Sequence, residues 1–373
     1  FFFSSRRRHT RSSTVSWARR MCIRDRQGSF AGPVSEPQGR LSFELADVEA
    51  HGYQAGSIQT VLQMEPLGPL SPEFSGIKVS GKGSAEHLVS LSGQPLPEDK
   101  LQWSLNGKVQ AQNNISISSF EINGDHLKLE LAGHYEPEGM TGTLDGKLYV
   151  NDLKPVTGFV GEQVPGVASI EAHLTGDGKN RSASGEIKGF LKPSEGAPSA
   201  PAAVLGTKTT LNTKFELIEG TKLEVRTFQL ESPVFQLKAQ TSVDIAADTV
   251  RADWHLSVPK LAPLAPLAGK SLSGGLQAKG EIEGPLKAFK ATTTIEGDKV
   301  NIDKIELQKI LLASTVEGLP GSPDGNLTVS LNKKDATIKA STGFSLKDQN
   351  PVSYTHLRAH ETVLDLVCRL LLE

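Results

Sequence analysis

Apolar and polar residues alternate along most of the chain, the pattern of strands with one buried face. Leu101, Trp103 and Leu105 are separated by polar residues, and so are residues 127, 129 and 131. The same period of two recurs in later stretches, namely 223–225, 235–239, 243–245, 300–302, 305–307, 327–331 and 338–340. Helix-length periodic stretches are scarce. The best candidate is the Pro-rich segment 260–270, in which leucines stand three apart. The chain is therefore predicted to be all-β.

Asn-Gly and Asp-Gly dipeptides lie between many of these stretches. They suit the two positive-φ positions of a type I′ hairpin turn. Hairpin turns are therefore predicted at Asn106-Gly107, Asn123-Gly124, Asp145-Gly146, Asp177-Gly178 and Asp324-Gly325. Turns so closely spaced predict antiparallel neighbours, because parallel strands need long crossover connections.

An internal repeat appears when the chain is shifted by 108 positions. The shift aligns hydrophobic residues, glycines and a proline without a gap: Leu148 with Leu256, Val150 with Val258, Leu153 with Leu261, Pro155 with Pro263, Gly161 with Gly269, Gly166 with Gly274, Leu174 with Ile282, and Gly176 with Gly284. The repeated unit is a strand, a short Pro-containing segment, a glycine corner and a new run of strands. A fixed offset favours an elongated, repetitive architecture. A pair of ordinary β-sandwich domains is the alternative.

The two ends of the chain can be translated from one inverted DNA repeat. The segment 21–25 can be encoded by ATG TGT ATA AGA GAC, whose reverse complement encodes Val-Ser-Tyr-Thr-His, the sequence of 352–356. Further out, 15–19 and 358–361 are related in the same way. This pattern is typical of translated sequencing-adapter read-through, and such segments are set aside in fold prediction. A genuine basic arm and a genuine C-terminal helix are the alternative.

Five regions follow from these patterns. Residues 1–26 are predicted to be an adapter-derived, disordered artefact, and 352–373 an artefact of the same origin. The regions 27–190 and 207–351 are predicted to be β-repeats. A Pro-, Ala- and Ser-rich loop is predicted to join them over 191–206.

The composition changes once the ends are set aside. They hold ten of the 40 Lys and Arg and four of the 42 Asp and Glu, which leaves 30 basic and 38 acidic residues and a net charge of −8. An acidic chain without a basic patch argues against nucleic-acid binding, because phosphate neutralisation supplies most of that affinity. The only cysteines, Cys22 and Cys368, lie in the ends, so no disulfide framework is expected. No apolar run approaches the roughly 18 residues of a membrane span.

A single repetitive sheet leaves its apolar face without a second layer. It can curl on itself, pack on a partner, or leave a groove for an apolar ligand. Lipid acyl chains suit such a groove, because each buried methylene contributes about 0.8 kcal/mol, or on the order of 10 kcal/mol for roughly 16 carbons before entropy is subtracted. The candidate groove residues are the inward positions of the clearest strands: Leu127, Leu129, Leu131, Leu237, Val243, Ile245, Ile282, Leu327 and Val329.

Catalytic patterns are scarce in the sequence. His173 and Asp177 stand four residues apart and span a predicted hairpin, so a surface histidine is the preferred interpretation for His173. No Gly-x-Ser-x-Gly elbow or paired zinc-type histidines occur. We therefore expect no enzyme activity, no cofactor and no metal site.

Two segments, 144–176 and 252–297, resemble the repeats of the TamB family, within the AsmA-like proteins. Residues 254–264 read WHLSVPKLAPL, and residues 272–288 read LSGGLQAKGEIEGPLKA. The resemblance is strong in these two segments, and its motifs are the general strand and turn patterns of β-repeat proteins. It implies a curled β-sheet groove, or β-taco, with an apolar concave face.

The resemblance also implies a function and a location. The parent protein would be periplasmic in a Gram-negative bacterium and anchored in the inner membrane by a segment absent from this chain. It would carry phospholipid between the inner and outer membranes. It would also support outer-membrane protein assembly through a TamA-like barrel, which would bind a missing C-terminal part. A non-catalytic structural or adhesin-like scaffold is the alternative function.

Overall fold

The computed structural model describes residues 20–33, 36, 38–50, 52–68, 75–91, 96, 98–110, 113–154, 164–194, 203–334, 336–347 and 350–360. This part of the chain is all-β and forms antiparallel, unclosed, curled sheet. The chain divides into two compact units, Phe1–Ser194 and Glu195–Glu373, which we call the N-terminal and C-terminal units. The predicted all-β, antiparallel, repetitive fold is confirmed. The assignment of the apolar face to the concave side stays a prediction.

The N-terminal unit is a meander in which each strand pairs antiparallel with the next. Its strands are β1 (Arg20–Ala31), β2 (Gln38–Ala50), β3 (Tyr53–Pro66), β4 (Gly76–Ser90), β5 (Lys100–Gln110), β6 (Ile115–Asn123), β7 (Leu127–Glu136), β8 (Thr141–Val150), β9 (Gly166–Asp177) and β10 (Ser182–Pro193).

The C-terminal unit is a second meander of the same kind. Its strands are β11 (Thr209–Ile218), β12 (Lys222–Glu231), β13 (Gln236–Asp244), β14 (Thr249–Val258), β15 (Leu272–Pro285), β16 (Ala288–Ile302), β17 (Ile305–Pro320), β18 (Asp324–Lys333), β19 (Ala336–Lys347) and β20 (Asn350–His360).

A short helical segment joins β14 to β15, where the sequence predicts one. A 3-10 turn, Ala262–Leu264, leads into helix α1, Ala265–Ala268. Gly269 ends the helix in the left-handed conformation, which glycine adopts at low cost.

The sequence repeat corresponds to a structural repeat of six strands. A shift of 108 residues places β8 on β14. In both copies a leucine just after the strand donates its backbone N–H to the carbonyl of the corner glycine, Leu153 to Gly166 and Leu261 to Gly274, at 2.9 Å each. Both leucines are 5% exposed. The two segments therefore share one local structure as well as one sequence pattern.

A third copy of this corner connects β3 to β4, and the sequence comparison did not find it. The Leu67 N–H donates to the Gly76 carbonyl at 3.0 Å. The signal was present, since Leu-x-Pro follows the strand in all three copies, at positions 67, 153 and 261. The shift of 108 misses this copy because Leu67 lies 86 residues before Leu153.

The positions of two of the five predicted turns are confirmed, although neither dipeptide has the positive φ of a type I′ turn, and the other three positions are wrong. Asn123-Gly124 and Asp177-Gly178 lie where β6 and β9 end. Asn106-Gly107 lies inside β5 at a register shift, Asp145-Gly146 lies inside β8, and Asp324-Gly325 begins β18. A Cβ on Gly146 would lie 3.0 Å from the Leu131 side chain, so this glycine makes room for a neighbour instead of forming a turn.

The predicted end segments and linker overlap the sheet at their margins. Of the region 1–26, expected to be disordered, Arg20 to Arg26 belong to β1, and 1–19 lie outside the described residues. Likewise 352–360 belong to β20, and 361–373 lie outside the described residues. The boundary between the units, after Ser194, falls within the predicted loop 191–206.

Candidate apolar binding face

Strand register places apolar residues on one face of the N-terminal unit. Directly opposed residues on neighbouring strands share a face. One row crosses all ten strands and contains only apolar residues and glycines: Gly28, Leu41, Leu62, Gly81, Leu105, Phe120, Leu131, Gly146, Ala172 and Ile187. We call this the N-terminal apolar face.

The predicted groove residues of this unit lie together on that face. Leu129 stands between Ile122 and Leu148. Leu127, Leu129 and Leu131 alternate along β7 and are each half-buried. The structure thus brings these three candidates together, as the alternation predicts.

The C-terminal unit has an apolar face built in the same way. One row contains Leu211, Leu230, Leu237, Leu256, Ala278, Ile295, Leu312, Val329 and Ala340. Neighbouring rows on the same face place the other candidates of this unit. Val243 opposes Leu223 and Val250, Ile282 opposes Ala252 and Ala291, and Leu327 opposes Ser314 and Thr342.

Ile245 is the one candidate that lies outside a strand. Strand β13 ends at Asp244, and Ile245 is 66% exposed just beyond it. Its backbone N–H donates to the Thr221 carbonyl, which places it in the turn region. The alternation Val243–Ile245 continues one residue past the strand, so Ile245 borders the C-terminal apolar face instead of lining it.

Both apolar faces are largely accessible to solvent. Among the described residues no large side chain is less than 2% exposed. On the N-terminal face, Leu144 is 40% and Ile170 is 44% exposed. Folded domains usually bury such residues almost completely. These faces are therefore open surfaces and not the interior of a packed sandwich.

One edge of the C-terminal face is covered by the segment after β14. Leu261, Val258 and Val300 form a buried cluster. Leu264 and Leu256 pack against it, so the Leu-x-Pro segment folds over the end of the sheet. The repeated corner thus closes the margin of the face and leaves its middle open.

Two tryptophans lie flat on glycines of the apolar faces. A Cβ on Gly83 would be 2.5 Å from the Nε1 of Trp103, and a Cβ on Gly280 would be 2.6 Å from the Nε1 of Trp254. Each tryptophan directly opposes its glycine in the strand register. The indole rings therefore occupy the space that side chains at these glycines would need.

The opposite face of each sheet is polar. In the N-terminal unit one row contains Lys82, Ser104, Glu121, Glu130, Lys147, Glu171 and Lys188. A depression of about 560 Å³ lies among these side chains. The hydrogen bond between Lys128 and Glu130 lowers the pKa of Glu130 and raises that of Lys128. The hydrogen bond with Glu171 likewise raises the pKa of Lys147.

His173 pairs with a carboxylate on the neighbouring strand and not with Asp177. Its Nδ1 lies 2.6 Å from Asp145 on the neighbouring strand, while Asp177 accepts hydrogen bonds from Asn180. Proximity in a meander follows strand register and not sequence spacing. Both partners are more than half exposed, which fits a surface histidine. Among the described residues no group of three or more His, Cys, Asp or Glu could hold a metal ion.

Glu98 is a buried carboxylate that sequence reasoning missed. It is 4% exposed and accepts the backbone N–H groups of Asp125 and His126 at 2.6 and 2.7 Å. It therefore fixes the turn between β6 and β7. Its position before β5 gives no local signal, because its partners lie 27 and 28 residues away.

Fold and surface together define the class of protein: an antiparallel β-meander with one open apolar face in each unit. Comparison with protein-family models, curated proteins and solved structures finds no match for this chain. Within the described ranges no helix has the length and apolarity needed to cross a bilayer.

Proposed function

We propose that the apolar faces bind phospholipid acyl chains and that the chain is part of a lipid-carrying protein of the Gram-negative periplasm. The observation that carries the proposal is the unbroken row of apolar residues and glycines, half-exposed, across all ten strands of the N-terminal unit. An exposed apolar surface of this extent marks a binding site for something apolar. The TamB-like segments support the same assignment.

The chemistry of the face suits a mobile ligand. Leu, Ile and Val contacts are non-directional, so an acyl chain gains burial energy without being held in one register. At strand glycines such as Gly81 and Gly146, a side chain from a neighbouring strand occupies the space above the backbone. Transport between the two membranes and support of outer-membrane protein assembly with a barrel partner belong to the proposal for the whole parent protein.

The scaffold alternative expects sheets that close on a tightly packed interior. The scarcity of deeply buried side chains among the described residues favours the open-face proposal. A scaffold that pairs its apolar faces in a dimer is a separate outcome that the following test detects.

The test uses quenching of tryptophan fluorescence by phospholipid with brominated acyl chains. Trp103 and Trp254 report on the two faces, and Trp17, outside the described residues, is replaced by Phe in every protein. We expect the brominated lipid to quench both reporters. Leu129→Asp, in the same row as Trp103, should weaken quenching of Trp103 about tenfold or more, because an ionised carboxylate resists transfer beside an acyl chain. The quenching of Trp254 should be unchanged.

Thr143→Asp is the matched control, because it adds the same charge on the polar face of β8, beside His134 and Thr175. Circular dichroism shows whether each variant keeps its strand content. Absence of quenching in the folded, unsubstituted chain would refute acyl-chain binding. A lipid-free dimer in native mass spectrometry would support the scaffold instead.

A further inference from the structure

The C-terminal apolar face is crossed by a row of polar atoms beside Trp254. Reading across the strands, Trp254 opposes Gly280, Gly280 opposes Thr293, and Thr293 opposes Ser314. All four residues therefore share the apolar face. Neighbouring strands lie about 4.8 Å apart, so these groups form a short line perpendicular to the strands.

The indole nitrogen of Trp254 lies close to Gly280, within this line. Because a Cβ on Gly280 would lie 2.6 Å from both Nε1 and Cε2 of Trp254, the pyrrole edge of the ring lies over Gly280. Gly280 stands between Trp254 and Thr293 in the strand register, so the ring extends over Gly280 toward the Thr293 side. A side chain at position 280 would collide with the ring.

Within the described part of the chain, the indole N–H of Trp254 and the hydroxyls of Thr293 and Ser314 make no side-chain hydrogen bond. A polar group on an apolar surface loses water when an apolar ligand covers it, and this weakens binding if the group stays unpaired. A ligand that brings its own acceptor avoids this cost.

The N-terminal unit contains a reduced version of the same arrangement. Trp103 opposes Gly83, and Gly83 opposes Thr60. Thr60 is only 6% exposed, whereas Thr293 and Ser314 are half-buried and open. The C-terminal row is thus the more accessible of the two.

We propose that Trp254, Thr293 and Ser314 form a polar station that hydrogen-bonds the ester carbonyl oxygens of an acyl lipid lying on the C-terminal apolar face. This assignment rests on the proposed function and adds to it a preference for ester-linked over ether-linked chains. An ester carbonyl is an uncharged acceptor that joins each apolar chain to the glycerol backbone. It therefore suits isolated donors on an otherwise apolar surface, where a charged group would be poorly solvated.

The test is a competition monitored by native mass spectrometry of the full chain. An equimolar mixture of diester and diether phosphatidylcholine with equal chain lengths is offered, and the ratio of bound lipids is measured. We expect the diester to be enriched about tenfold, since a hydrogen bond contributes about 0.5–1.5 kcal/mol and two or more form. Thr293→Val with Ser314→Ala should reduce the enrichment to about threefold. Adding Trp254→Phe, which keeps a ring but removes the N–H donor, should bring it to parity.

Thr143→Val, on the polar face of the other unit, is the control and should leave the ratio unchanged. Equal binding of the two lipids by the unsubstituted chain, or enrichment that survives the triple substitution, would overturn the station while leaving acyl-chain binding intact. Failure of both lipids to bind would instead refute the proposed function. Total lipid bound by each variant separates a lost preference from a lost fold.

Discussion

The N-terminal and C-terminal apolar faces are built by the same meander but differ in polarity. The four N-terminal rows that pass through Leu127, Leu129, Leu131 and Gly133 contain one hydroxyl residue, Thr60. The C-terminal face carries several in one row, namely Thr213, Thr293, Ser314 and Thr342. A continuous apolar face is therefore compatible with different amounts of local polarity, and the polar row is where ligand selectivity can arise.

The corner segments make the opposite point, since here the two units are nearly identical. Leu153 and Leu261 are buried to the same degree and make the same backbone hydrogen bond. The two units share the corner that covers the margin of the apolar face. They differ in the polarity of the exposed middle of that face. Substitutions at the corners should therefore act alike in both units except where the backbone differs.

The largest effect is expected from removing the buried corner leucines. Leu153→Ala and Leu261→Ala should each lower the free energy of unfolding of their own unit by about 2–5 kcal/mol, because each leaves a cavity at a nearly covered site. Hydrogen exchange with mass spectrometry, read segment by segment, measures the two units separately. Leu267→Ala is the control, since Leu267 is 48% exposed. If both substitutions destabilised the same unit and left the other unit unchanged, the two corners would not be equivalent.

A smaller and unequal effect is expected at the corner glycines. A Cβ at Gly166 or Gly274 would lie 2.5 Å from a backbone carbonyl of the next strand, Lys192 or Lys299. Gly274 additionally has a φ of +96°, where a side chain is strained. We expect both Ala variants to destabilise, with Gly274→Ala costing about 1–2 kcal/mol more than Gly166→Ala. Urea unfolding followed by segment-resolved exchange compares them, and equal losses would show that the carbonyl contact alone matters.

The smallest expected difference concerns acid. In the described N-terminal unit hydrogen bonds from Lys100, Lys128 and Asn180 lower the pKa of Glu86, Glu130 and Asp177, whereas Glu224 is the counterpart in the C-terminal unit. A lowered folded pKa contributes stability above the ordinary value, 4.5 for Glu, and that stability is lost as pH falls through the folded pKa. The N-terminal unit should therefore lose more protection below pH 4.5.

Salt provides the control for the acid prediction. These carboxylates are exposed, so their interactions are weak and screened. Raising the salt concentration to about 1 M shortens the screening length to about 3 Å and should shrink the difference between the units. An acid response that does not change with salt would point to buried groups instead.

Local patterns in the sequence determined the strands and their faces. Alternation at Leu127, Leu129 and Leu131 predicts both a strand and a shared face, because successive side chains on a strand point to opposite sides. The repeat at Leu153 and Leu261 likewise predicts a common corner. Each of these inferences depends on residues close together in the chain, where backbone geometry alone fixes the outcome.

Tertiary structure decided what lies beside what across the strands. Gly146 is a strand residue and not a turn because the Leu131 side chain from β7 occupies its space. His173 pairs with Asp145 because the register of β8 and β9 places the two residues opposite each other. Glu98 binds a turn 27 residues away. The line from Trp254 to Ser314 exists only after four strands have paired. Register depends on loop lengths and bulges as well as on the alternation of apolar residues, so the alternation within one strand does not specify it.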